Sequence, residues 1–228
     1  LMEKAIDLDI KKEADVNVLR ELVEQIDERV AEVIKTIVSA NKVPIVIGGG
    51  HNNAYGNIKG TSESLQKKIS VVNCDPHLDF RSTEGRHSGN GGSYASEKNY
   101  LNKYAVLAMH EQYNNIASVN AFISQPDRLF FNTYESVFVR KHFDFTSAIN
   151  QCTAFVLGDA CGLEIDLDAI TNVPSSAKTS SGLSPTQARQ FVYLATKHLD
   201  VKYLHIAEGA PVLSHIKADN KTGKLISY

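Results

Sequence analysis

Ile69-Ser70-Val71-Val72-Asn73-Cys74-Asp75-Pro76-His77-Leu78-Asp79 decides the reading of the fold. It opens as a short apolar run, read as a strand over 69–73, and closes on an alternating acid–imidazole–acid triplet. The same grammar appears upstream, where Val43-Pro44-Ile45-Val46-Ile47 runs into Gly48-Gly49-Gly50-His51. That segment reads as a strand buried on both faces and stopped by glycines. Further strands are predicted over 105–109, 128–132, 162–166 and 201–207.

Helices are predicted between the strands. Leu19, Leu22, Val23, Ile26, Val30, Val33, Ile34 and Ile37 recur three and four apart, which is one face of a helix over 16–40 with Asp15 as its N-cap. Others are predicted over 111–124 and 145–157. Ser184-Pro185-Thr186-Gln187 starts one that runs to His198, with Ser at the N-cap, Pro at N1 and Gln at N3. Apolar strands alternating with amphipathic helices imply a three-layer α/β/α fold around a mostly parallel sheet. In such sheets ligands bind beyond the carboxyl ends of the strands.

Composition excludes several classes. The chain has 228 residues, with 24 Lys and Arg against 26 Asp and Glu, a net charge of −2. That balance lacks the basic footprint of nucleic-acid binding. No apolar stretch is long enough to span a membrane. Cys74, Cys152 and Cys161 are an odd set, which favours a reducing compartment over a disulfide scaffold. The first residues do not read as a signal peptide, so the expectation is a cytoplasmic protein.

Four strands end in one kind of chemistry: His51; Asp75, His77 and Asp79; Asp166 and Asp168; and Glu208. Alternate residues of extended backbone point the same way, so each set can converge. Four carboxylates gathered without counter-charge would repel and partly protonate. Two divalent cations remove that conflict, and oxygen-rich ligands with two imidazoles suit Mn²⁺, with zinc and iron as alternatives. Two such ions roughly 3.5–4 Å apart can acidify a shared water. Cys74 points to the opposite face and reads as core.

Taken together, Gly49-Gly50-His51, Asp75-x-His77-x-Asp79, Asp166-x-Asp168 and Glu208-x-x-Pro211 resemble the ureohydrolase family of arginases, agmatinases and formimidoylglutamases. The order and spacing agree from about residue 40 to residue 211. The resemblance implies an arginase-like α/β/α fold and two Mn²⁺ ions held by His51, Asp75, His77, Asp79, Asp166 and Asp168. Asp79 with Asp166 or Asp168 would bridge or chelate. It also implies a homo-oligomer and one domain over 1–228, lacking a first strand and helix and the end of its last helix.

Phe80-Arg81 and the downstream His87-Ser88-Gly89 turn resemble the formimidoylglutamase branch most. Arg81 suits a substrate with free carboxylates, because its fork pairs with them bidentately. The expected substrate is therefore a small amino-acid derivative, N-formimino-L-glutamate, hydrolysed to glutamate and formamide. Asp79 would take the proton of the attacking water, Glu208 would bind the amidine, and His87 would protonate the leaving nitrogen. Arg81, Ser88 and Asn90 complete the expected substrate contacts. Rival readings are an arginase or agmatinase releasing urea, and a catalytically silent member that binds a metabolite or a protein. The chain departs from the family pattern at Asn52, Pro76, Asn90-Gly91-Gly92 and Gly209-Ala210, and the changes at Pro76 and at 90–92 are expected to reshape the substrate pocket. His110, His142, His198, His205 and His215 read as helix or core histidines. The tyrosines and phenylalanines between Tyr94 and Phe145 read as packing.

Overall fold

The computed structural model describes residues 2–211, with side chains from residue 4 onward. His215 and the expected last helix therefore lie outside the described residues. Six parallel strands form one sheet: β1 (Ile45–Ile47), β2 (Ile69–Cys74), β3 (Leu101–Met109), β4 (Leu129–Thr133), β5 (Ala160–Asp166) and β6 (Asp200–Ala207). Their spatial order is β1-β6-β5-β2-β3-β4. The chain steps outward from β2 to β4, then returns to place β5 beside β2 and steps the other way to β6. The boundary between β2 and β5 is thus a topological switch point, where two crossovers diverge and leave a crevice.

Among the described residues seven α-helices accompany the strands: α1 (Met2–Ala5), α2 (Glu13–Ser39), α3 (Asn53–Leu65), α4 (Gly91–Glu97), α5 (Ile116–Ser124), α6 (Phe145–Val156) and α7 (Pro185–His198). One sheet face packs Val71, Tyr104, Val106 and Tyr203 with Tyr55, Ile58, Ala95 and Phe122 of α3, α4 and α5. The other packs Val72, Cys74, Leu107 and Leu163 with Ile149 and Cys152 of α6 and Phe191 of α7. Cys74 belongs to this second core, as its alternation implies. Among the described residues no helix is long and apolar enough to cross a membrane.

Several expectations are corrected. β1 is an edge strand, and Ile45 and Ile47 are 64% and 58% exposed rather than buried on both faces. Asp15 is not the N-cap of α2. The helix begins earlier, after Lys12, and Asp15 sits in its first turn, accepting from the Asp9 amide at 3.0 Å. The helix expected from 111 begins at Ile116, where the Asn115 side chain accepts from the Ser118 amide. His142 and His198 are exposed, in a turn and at the end of α7, whereas His110 and His205 are buried. The capping box at Ser184, Pro185 and Gln187 forms as read.

Helix α3 has no counterpart in the sequence reading. Its 53–65 segment holds Gly56, Asn57, Gly60, Thr61 and Ser62, and only a thin apolar stripe of Tyr55, Ile58 and Leu65. It exists because α2 lies almost in contact with it. A Cβ at Gly60 would sit 2.4 Å from the Ala31 carbonyl oxygen, and one at Gly56 would sit 2.8 Å from Val30 Cβ. Two glycines four apart thus open a groove for α2. Helical propensity favours alanine over glycine by about 1 kcal/mol. Overpacking against a backbone costs about 1–3 kcal/mol. The clash wins, so Gly60→Ala should lower unfolding free energy by about 1–2 kcal/mol in a urea titration. An increase would show that α2 and α3 are not this close.

Candidate metal centre

The Gly48-Gly49-Gly50 turn is local necessity. Gly48 and Gly49 adopt φ of 86° and 72°, which side-chain-bearing residues resist. The turn is pinned to the end of β6: Gly48 N donates to the Ile206 carbonyl at 2.8 Å and Glu208 N to that of Gly49 at 3.0 Å. His51, just beyond the turn, donates its own amide to Glu208 Oε1. The turn delivers a fully buried His51 from the edge strand to the switch point.

There its ring meets three carboxylates. His51 Nδ1 lies 3.0 Å from Asp75 Oδ2, 2.8 Å from Asp79 Oδ2 and 3.1 Å from Asp166 Oδ2. Beyond β2 the chain bends at Pro76 and His77, and a left-handed φ of 48° at Asp79 turns it again. A second donor group combines His77, Asp166 and Asp168. Asp166 is common to both groups. Asp75 also faces both, because its Oδ1 lies 3.3 Å from His77 Nδ1. All six residues expected as ligands are thus brought together at the carboxyl ends of adjacent β2 and β5.

Asp75, Asp166 and Asp168 are oriented by hydrogen bonds, whereas Asp79 meets only His51 among the described residues. Asn73 Nδ2 donates to Asp75 Oδ2 at 2.9 Å, and the His77 amide to Asp75 Oδ1 at 2.7 Å. Asp166 Oδ1 accepts from the Asp168 amide at 2.7 Å. Asp168 accepts from Ser176 Oγ at 3.1 Å and the Ala177 amide at 2.8 Å. Among the described residues, every ion pair made by these aspartates is with a histidine.

The resulting fields oppose one another. Burial, reinforced by the charge of Asp75, pushes Asp79 up to about 6 and Asp166 well above the usual carboxylate range. Burial pulls the imidazoles down, yet the facing carboxylates outweigh it, holding His77 up at about 9 and His51 well above its ordinary value. Oxygen and imidazole donors crowded this closely fit divalent cations, whose charge would answer the repulsion.

A cavity of about 500 Å³ opens over these donors, lined also by Arg81, His87, Ser88, Asn114, Asn115, Ser118 and Glu208. Arg81 is exposed on its rim. His87 Nδ1 accepts from the Gly89 amide at 3.1 Å, and Nε2 faces Glu84 Oε1 at 3.3 Å. Burial draws the His87 pKa below its usual value. Asn90, expected as a substrate contact, is not on the cavity wall. It is fully buried, receives Arg86 and the His87 amide on Oδ1, and donates to the Ser82 and Gly85 carbonyls. The 90–92 segment correspondingly starts α4 beneath Phe80 instead of shaping the pocket.

A model of the Arginase family matches residues 2–226. The chain belongs to the arginase family. A formimidoylglutamase of Streptococcus pyogenes is 32% identical over 177 residues, covering 72% of this chain and 53% of the relative. This arginase-family chain thus spans about half the length of the curated relatives it matches. The fold matches formimidoylglutamase from Bacillus subtilis, with a TM-score of 0.78 and 16% identity over 97% of this chain and 68% of that one. It also matches Trypanosoma cruzi formiminoglutamase with Mn²⁺, at a TM-score of 0.77 and 20% identity over 90% and 69%.

The sequence reading left out the polar layer beneath the cluster, Asn73, Tyr104, Glu164 and Tyr203, and took His205, which joins that layer, as a helix or core histidine. Strand alternation carries the signal for Glu164, which shares a face with Asp166.

The crowding yields a signed prediction. Mn²⁺ at about 100 times its dissociation constant should stabilise the arginase-family chain by about 2.7 kcal/mol per site, a melting shift of roughly 5–10 °C. Asp166→Asn should remove most of that response while raising the metal-free melting temperature, because one of the crowded charges is gone. A metal-free variant less stable than the parent would contradict this electrostatic account.

Proposed function

We propose that this chain is a metal-dependent hydrolase that cleaves a C–N bond of a linear amidine, with N-formimino-L-glutamate as substrate. The observation that carries the reading is two donor groups sharing Asp166 on one cavity floor, with Arg81 at its rim. Its formimidoylglutamase relatives support the choice of substrate. His51, Asp75, Asp79 and Asp166 would hold one Mn²⁺, and His77, Asp166 and Asp168 the other. When bound, such ions supply Lewis-acid polarisation and an acidified water at neutral pH.

The chain's own residues do the rest. Arg81 pairs with a substrate carboxylate, fixing the amino-acid end at the rim. Glu208 keeps Oε1 on the His51 amide and offers Oε2 to the amidinium nitrogen. Asp79 accepts the proton of the attacking water. A C–O bond forms at the formimino carbon and the C–N bond to the glutamate nitrogen breaks. Asp79 passes the proton it took to the leaving nitrogen, and His87 assists that transfer as a hydrogen-bond donor on the cavity wall: with Nδ1 accepting from Gly89, its hydrogen is on Nε2, beside Glu84. Formamide and glutamate leave.

Three substrates separate this reading from its rivals. At matched Mn²⁺, N-formimino-L-glutamate should turn over at least about 10²-fold faster, by kcat/KM, than L-arginine or agmatine. Faster urea release from arginine or agmatine would reassign the substrate, and two bound ions without turnover would make the chain a binding protein. Asp79→Ala should cost on the order of 10²–10⁴ in kcat. Arg81→Ala should raise KM about tenfold with kcat nearly unchanged, the signature of lost uniform binding.

A further inference from the structure

We propose that Glu164 is a positioning residue that fixes the His51 imidazole in the tautomer whose Nδ1 lone pair faces Asp75, Asp79 and Asp166. The proposal rests on reading that cluster as a metal centre. Glu164 stands on β5 two residues before Asp166, so both side chains leave the same sheet face. It is wholly buried, and its Oε2 lies 3.2 Å from His51 Nε2. A carboxylate has no hydrogen to give, so this contact requires N–H at Nε2. Nδ1, 2.8–3.1 Å from the three aspartates, is then the nitrogen whose lone pair a cation in that cluster would take in place of a proton. A carboxylate behind a ligating imidazole is a general means of fixing its orientation and basicity.

Glu164 is itself held. Its Oε1 accepts from Tyr203 Oη at 2.8 Å, and Tyr203 is also fully buried. Tyr203 fits only because Gly162 stands opposite it on β5. A Cβ there would come within 2.2 Å of Tyr203 Cζ and 2.4 Å of its hydroxyl oxygen. His205 closes the pocket edge-on to His51, with ring centroids 5.5 Å apart. Its Nδ1 is 3.9 Å from Glu164 Oε1, too far for a hydrogen bond, and neither ring nitrogen has a partner among the described residues. Both Glu164 oxygens are therefore committed, one to the metal-facing histidine and one to Tyr203.

His51, Glu164 and His205 also form a donor group close enough to hold an ion. An ion there would take the Nε2 that Glu164 keeps protonated, and a neutral imidazole cannot offer both nitrogens to metals. The contact is better read as support for the neighbouring cluster than as a third site.

The test is Mn²⁺ titration of the full chain, followed by the electron paramagnetic resonance signal of the free ion. Glu164→Met keeps the buried volume and removes the acceptor; Glu164→Gln keeps an oxygen for Nε2–H. Glu164→Met should weaken one of two Mn²⁺ sites by 10–100-fold and leave the other within about threefold. Glu164→Gln should rescue binding to within about threefold of the parent, which a loss of packing alone would not distinguish from Met. Tyr203→Phe should weaken the same site by about threefold or more. A Glu164→Met protein that binds both ions like the parent overturns the proposal, as does equal loss in Met and Gln. Should Glu164→Met not fold, Tyr203→Phe decides, and parental binding in it overturns the proposal. A parent chain that binds no Mn²⁺ overturns the metal reading itself, which is a separate outcome.

Discussion

Like charges held together at the sheet's switch point organise this molecule. Asp75, Asp79, Asp166 and Asp168 occupy one buried floor, and their only ion-pair partners among the described residues are imidazoles. Such a floor is unfavourable by itself, because burial and mutual repulsion both oppose ionisation. The scaffold keeps it assembled by other means. Two buried parallel strands lead into the aspartates, and Asp75, Asp166 and Asp168 are each tethered by an amide or hydroxyl contact while Asp79 is held by His51. Repulsion is thus held within a rigid sheet, where a cation would find its donors already gathered.

The sequence made much of this legible, for a physical reason. Interior strands of a parallel sheet are largely apolar on both faces, so β2 and β5 stand out as mostly apolar runs, and polar residues at their ends are conspicuous. Alternation then says which of those residues share a face. The same logic failed at β1, because an edge strand can be just as apolar while half exposed. It failed for α3, where close packing is achieved by absent side chains and periodic hydrophobicity is reduced to Tyr55, Ile58 and Leu65.

The cavity wall was less legible than its floor. Arg81, Ser88 and Asn90 stand within ten residues of one another, and sequence offers no basis for separating them. The loop decides their fates. Asn90 is drawn inward to satisfy the loop's own amides and carbonyls, while Arg81 is left at the rim. That folding depends on Arg86, whose partners lie far away in the chain. Long-range contacts of this kind leave no local signature.

Arg86 binds Asp27 of α2 through Nε at 2.7 Å, the Asn52 carbonyl through Nη2 at 2.9 Å and the His87 carbonyl through Nη1 at 3.0 Å. Its guanidinium lies between the rings of Tyr55 and Tyr94, 5.1 and 5.2 Å from their centroids. One buried cation therefore couples an outer helix, the residue after His51 and the loop that carries His87. Helix α2 packs on α3 outside the sheet layers and touches no proposed ligand. Loosening it nevertheless releases the rim: Asp27 cannot depart without stranding a buried charge, and Arg86 cannot follow without freeing the loop. In energetic terms the outermost helix and the mouth of the cavity form one cooperative unit. Motions at the mouth are therefore set by a surface that substrate never meets.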